Sequence, residues 1–153
     1  VPPKNPIILI PARLAAARLP GKPLADIAGT PMIVHVWRRA VAAEIGPVVV
    51  ACGDQAIADA VESAGGRAVM TDPDQPTGSD RIHEAIARLD PDGGHDAVIN
   101  VQGDLPTLDP MAIRVAAAGL VDPETDIATL AAVIGDEAAL HDTSVNKVVA
   151  GFA

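Results

Sequence analysis

Aromatic residues are nearly absent from this 153-residue chain: Trp37 and Phe152 are the only two, and there is no tyrosine. A core must therefore be built largely from Ala, Val, Ile and Leu. Cysteine is reduced to Cys52, which rules out an intrachain disulfide and any cysteine-based metal site and fits a reducing compartment, the cytoplasm by default. Cations are also scarce: 11 Lys and Arg against 20 Asp and Glu leave a formal charge of -9. That balance argues against a broad nucleic-acid surface. No apolar run approaches a membrane span, and the start Val1-Pro-Pro-Lys-Asn-Pro6 lacks the charged and apolar regions of a signal peptide.

What is present is hydrophobic, at 49% of residues, enough for one domain with a real core. Short β-branched runs at Ile7–Ile10, Val48–Ala51, Arg67–Met70, Ala97–Val101 and Ile127–Val133 are mostly continuous rather than alternating, the pattern of strands covered on both faces. Helical segments lie between them. Thr30 precedes Pro31, Asp109 precedes Pro110, and Asp54 opens a segment ending at Gly65-Gly66, each a combination of cap and stop signals. In the first helix Ile33, Trp37, Ala40 and Val41 share one side; in another, Ile82, Ala85, Ile86 and Leu89 form an inward stripe. The alternation predicts an α/β fold with a mainly parallel sheet.

The cations are distributed unevenly. Between Ile7 and Ala25 the only charges are Arg13, Arg18 and Lys22, on a loop leaving the first strand and restricted by Pro11, Pro20 and Pro23. An open α/β sheet places its ligand at such a carboxyl edge, and a polyphosphate uses three separated positive charges best. Neither common phosphate device is present. A P-loop would need Gly where Ala16 stands and Ser or Thr where Pro23 stands. The glycine fingerprint of dinucleotide-binding folds is missing too, which disfavours hydride transfer. Side chains must do the gripping.

Two further segments carry chemistry. Thr77-Gly-Ser-Asp-Arg81 opens a helix, with Ser79 the predicted N-cap and free amides available to an acceptor such as a pyrimidine carbonyl or a phosphate oxygen. Taken alone, Gly78 and Ser79 also admit the plainer reading of a capped helix start. Asn100-Val-Gln-Gly-Asp-Leu-Pro106 follows an apolar strand, placing Asp104 on the same rim as the cationic loop, where one carboxylate facing a triphosphate can share Mg²⁺. The four histidines, His35, His83, His95 and His141, lack ligand-spaced neighbours and support neither a metal site nor a nucleophile–base pair. His35 and His83 are read within helices, His95 and His141 in loops.

The segments Pro11–Leu24, Gly29–Val36, Thr77–Arg81 and Asn100–Pro106 together resemble the CMP-Kdo synthetases, the 3-deoxy-manno-octulosonate (Kdo) cytidylyltransferases. The resemblance spans nearly the whole chain. It implies a three-layer α/β/α Rossmann-like nucleotidyltransferase fold, glycosyltransferase-A-like, with residues 1–153 as the N-terminal, incomplete part of the domain. It implies transfer of a cytidylyl group from CTP to Kdo, giving CMP-Kdo and pyrophosphate for lipopolysaccharide synthesis. In that scheme Arg13, Arg18 and Lys22 neutralise phosphates and the backbone at Ala12, with Gly78 and Ser79, recognises cytosine. Arg81 lies near base and phosphates, Gln102 contacts the sugar acid, and Asp104 ligates Mg²⁺. Arg13, Lys22 and Asp104 carry the catalysis, in a homodimer that uses neither nucleic acid nor membrane insertion. The Asp142–Val149 segment is an imperfect copy of a family motif, and Gln75 departs from the family form. Lys147 reads equally as an active-site cation or a surface residue. A cytidylyltransferase for another sugar acid and a non-catalytic CTP-binding module remain the alternatives.

Overall fold

The computed structural model describes residues 2–15 and 20–149; Arg18 lies outside them. Four of the five expected strands form, as β1 (Pro6–Ala12), β4 (Val48–Cys52), β5 (Arg67–Met70) and β6 (Ala97–Asn100). They pair in parallel in the order β5-β4-β1-β6, with Leu9 opposite both Val49 and Asn100. The chain first steps outward from β1 to β4 to β5, then crosses back to lay β6 on the other side of β1. Strand order therefore reverses between β1 and β6, opening a crevice at their carboxyl ends where open α/β sheets take ligands.

The helices are α1 (Met32–Val41), α2 (Gln55–Ser63), α3 (Gly78–Leu89), α4 (Pro110–Ala118) and the short α5 (Glu137–His141). Side chains alternate along β1 because the strand period is two. Ile8 and Ile10 join Ile33, Val36, Ile57, Val61 and Ile113 of α1, α2 and α4 on one face, while Ile7 and Leu9 meet Ile82 and Ala85 of α3 on the other. The result is the three-layer α/β/α arrangement. Each such Ile or Leu contributes about 1.5–3 kcal/mol relative to exposure, which is how a core almost free of aromatics is sustained. Trp37 packs at the edge of the first cluster, with Gly66 so close that an added Cβ would lie 2.9 Å from the indole Cε2.

Helix ends agree with the sequence in part. Asp109 caps α4 by accepting the Met111 N–H at 2.9 Å, with Pro110 in the first turn. At the end of α2, Gly65 (φ +86°) and Gly66 donate to the carbonyls of Glu62 and Val61, a paired closure that needs a left-handed residue at Gly65. Thr30 is not the cap of α1. It pairs with Ile27 between β2 (Asp26–Ile27) and β3 (Thr30–Pro31), so Pro31 takes the cap position without a side-chain bond. Ala28 and Gly29, both at positive φ, close this two-residue hairpin.

Other expectations change. Ile127–Val133 forms no strand, and Ile127 and Val133 are 86% and 97% exposed. Strand propensity measures fit to a half-buried pleated surface, and among the described residues this segment has no paired strand. Val41 is 44% exposed, while Met32, Val34 and Val36 are buried, so α1 is wrapped on more sides than its stripe suggested. His141 ends α5 rather than lying in a loop.

Candidate functional site

Three separated sequence segments converge on Pro11, near the end of β1. Gly103, just beyond β6, lies so close that an added Cβ would stand 2.6 Å from the Pro11 carbonyl oxygen. Gly78, the first residue of α3, approaches from another side, its added Cβ 3.3 Å from Pro11 Cγ. Glycine is required at Gly103 by backbone proximity. The motifs beginning at Pro11, Thr77 and Asn100 therefore share one rim of the sheet.

Across the β1/β6 crevice, Lys22 Nζ donates to Asp104 Oδ2 at 2.8 Å although 82 residues separate them. Lys22 starts a short 3₁₀ turn, Lys22–Leu24, which follows Gly21 in the left-handed region. Asp104 lies in the turn beyond β6. Both side chains stay partly open to solvent, at 37% and 53%. Arg13, one residue past β1, is exposed, whereas Ala12 is buried at the strand end. Gln102 is exposed and donates to Asn100 Oδ1 at 3.1 Å.

At the α3 mouth the cap is Thr77, not Ser79. Thr77 Oγ1 accepts the Asp80 N–H at 3.1 Å and donates to Asp80 Oδ2 at 2.5 Å, a reciprocal pairing that fixes the helix start. Ser79 is thereby drawn into the first turn. The Asp80 and Arg81 amides are taken by Thr77, which leaves Gly78 and Ser79 as the amides at the opening.

The Arg81 side chain is buried rather than open to solvent. It is 2% exposed, and its guanidinium donates to Thr71 Oγ1 and to the carbonyls of Asp72 (3.1 Å) and Pro73 (3.2 Å). A burial so deep is tolerated because three acceptors meet the charge. Glu84, one turn on, accepts the Asp72 N–H and Gln75 Nε2 and pairs with Arg88; Arg88 in turn reaches the Met70 carbonyl at 2.6 Å. Hydrogen bonds from Asp72 and Gln75 hold the Glu84 carboxyl below its ordinary value. This face of α3 thus stitches down the segment that leads into Thr77, and Gln75 belongs to that stitching.

The sequence missed one supporting residue. Asp54 was readable as a helix cap, yet its Oδ2 accepts the Leu14 N–H at 2.9 Å, where the cationic loop leaves β1. The available signal was its place after β4, on the same carboxyl rim. Cys52 beside it is buried, and burial pushes its thiol up to about 11, which makes it inert. Lys147 is exposed and donates to the Asp142 carbonyl.

Among the described residues no group of three His, Cys, Asp or Glu could hold a metal, and no helix is long and apolar enough to cross a membrane. A groove of about 540 Å³ that Asn100 and Gln102 border is otherwise lined mainly by apolar residues such as Leu108, Ile113 and Leu130.

A family model described as cytidylyltransferase matches residues 7–151. A 3-deoxy-manno-octulosonate cytidylyltransferase of Rhodospirillum centenum is 64% identical over 151 residues, 99% of this chain and 59% of its own length. The relative of that name from Methylorubrum populi is 63% identical over 145 residues, covering 95% of this chain and 59% of its own. The chain spans under two thirds of these relatives. Among solved structures, a CMP:2-keto-3-deoxy-manno-octonic acid synthetase complexed with CTP superimposes with a TM-score of 0.73 at 41% identity, covering 79% of this chain and 49% of that one. A nucleotidyl transferase from Methanothermobacter shares the fold, with a TM-score of 0.62 at 20% identity over 75% of this chain and 57% of its own. The parallel sheet is thus that of solved nucleotidyltransferases, and the chain belongs to the cytidylyltransferase family.

Proposed function

We propose that the protein transfers a cytidylyl group from CTP to 3-deoxy-manno-octulosonate, the anomeric hydroxyl attacking the α-phosphate and pyrophosphate leaving. The observation that carries this reading is the juxtaposition of Lys22 and Asp104 at the strand-order reversal, 2.8 Å apart. Such a pair offers a cation suited to the phosphates and a carboxylate suited to a metal on one rim of the sheet. The relatives' names, and the CTP in one solved relative, supply the nucleotide and acceptor.

Arg13, Arg18 and Lys22 neutralise the triphosphate and the leaving pyrophosphate; such chemistry is carried by positioning and charge stabilisation. The backbone at Ala12, with the Gly78 and Ser79 amides, meets the cytosine edge, and Gln102 meets the sugar acid. Arg81 serves the nucleotide indirectly, by holding the segment before Thr77 in place. Asp104 suits Mg²⁺. Its Oδ2 pairs with the Lys22 ammonium, and Mg²⁺ takes one or two carboxylates together with waters and phosphate oxygens; the second acidic ligand that the family resemblance implies is not assigned within residues 1–153. Bound there, Mg²⁺ would polarise the α-phosphate. The protein works in the cytoplasm as a homodimer.

Pyrophosphate release from CTP by the full-length protein, assayed with a panel of 2-keto sugar acids, tests nucleotide and acceptor together. Release should depend on Kdo. Release with a different sugar acid only would reassign the acceptor, and CTP binding without release for any acceptor would mark a non-catalytic module.

A further inference from the structure

Asp54 occupies the N-cap position of α2 in extended conformation (φ -123°, ψ 124°), yet its side chain makes no capping bond. Aspartate at that position ordinarily accepts an amide of its own first turn. Here the carboxylate is turned outward, to the Leu14 N–H at 2.9 Å. Leu14 is also where the cationic loop closes: its carbonyl accepts the Gly21 N–H at 3.0 Å, one residue before Lys22. The Leu14 side chain packs against the main core cluster. One residue thus has its side chain and both backbone polar groups engaged, and Arg13 and Lys22 sit on either side of the closure. Gly53, the residue before Asp54, is packed so tightly that an added Cβ would lie 2.6 Å from Pro73 Cα and 3.0 Å from Arg81 Nη1.

We propose that Asp54 is a positioning residue for nucleotide binding, anchoring the loop at Leu14 so that Arg13 and Lys22 face the phosphates in a fixed geometry. This rests on the cytidylyltransferase reading of the loop. A carboxylate near a cationic loop has a second effect of opposite sign, since its charge alone repels a triphosphate. If charge dominated, removing it would tighten CTP binding; if anchoring dominates, losing the acceptor weakens it.

Two substitutions in the full-length protein separate these effects. Asp54→Asn keeps a side-chain oxygen of the same reach, whereas Asp54→Ser restores a helix cap but is too short to reach Leu14. Titration calorimetry with CTP should show Asp54→Asn within about twofold of the parent and Asp54→Ser weaker by roughly tenfold. The loss should be smaller for CMP, and Asp54→Ser should melt no lower than Asp54→Asn. Amide exchange without nucleotide should accelerate at Leu14 and Gly21 in Asp54→Ser only. Equal losses in both variants, or tighter CTP binding in either, would overturn the proposal. So would unchanged exchange at Leu14. A parent protein that binds neither nucleotide, with exchange still altered in Asp54→Ser, would instead overturn the cytidylyltransferase reading and leave the anchor standing.

Discussion

Lys22 and Asp104 are each open enough to exchange one partner for another. An exposed pair of this kind contributes at most about 1 kcal/mol, so a polyphosphate can take Lys22 from Asp104 with little opposition. Lys22→Ala should weaken CTP binding at least tenfold, about 1.4 kcal/mol, with CMP affected less because it lacks the β- and γ-phosphates. Equal losses for the two nucleotides, measured by calorimetry, would contradict the assignment. Asp104→Asn in the full-length protein should abolish most Mg²⁺-dependent pyrophosphate release while metal-free CTP affinity holds or rises, since Lys22 loses a competitor. Near-normal release would reduce Asp104 to a turn residue. Gly103→Ala probes the same rim through sterics: the Cβ would meet the Pro11 carbonyl at 2.6 Å, so a loss of about 1–3 kcal/mol is expected. A melting temperature equal to the parent's would show that the two segments part freely. These roles differed in legibility. Charge and position alone picked out Lys22 and Asp104, but Asp54 followed the grammar of a cap, and only the fold reveals that its carboxylate has left its own helix.

Among the elements, α3 carries the clearest division of labour. Ile82 and Ala85 enter the core, while Arg81, Glu84 and Arg88, spaced three and four apart, grip the segment from Met70 to Gln75. The apolar stripe was legible because helical period alone defines it. The polar grip was not, because its partners are mostly backbone groups of a loop whose path no local pattern specifies. Glu84 makes this grip sensitive to acid. Its folded carboxyl titrates below the ordinary 4.5, so the stabilisation is fully present above that pH and is lost as pH falls through the depressed value. Asp90, Asp96 and Asp142 are lowered too, each by backbone hydrogen bonds, so the acid response is shared. Melting curves between about pH 7 and pH 3 should therefore fall less steeply for Glu84→Gln than for the parent. Superimposable pH dependences would remove Glu84 from the grip. Strand formation shows the opposite limit of local reading: Val48–Cys52 forms because β1 and β5 flank it, whereas Ile127–Val133, similar in composition, has no paired strand among the described residues and stays irregular.

At the scale of the whole molecule, alternation of strands and helices predicted the parallel sheet. It did not dictate that β6 would cross back beside β1, which is the event that brings residues 82 positions apart into an ion pair. The same scarcity of aromatics that shaped the core has an optical consequence. With no tyrosine, the near-ultraviolet absorption and emission of this chain come essentially from Trp37. Its indole rests against Gly66, at the amino end of β5, on the rim opposite the crevice. Fluorescence should therefore report the separation of α1 from the α2–β5 turn during unfolding and stay nearly silent as nucleotide fills the far rim, giving a built-in gauge of the scaffold that is blind to the site.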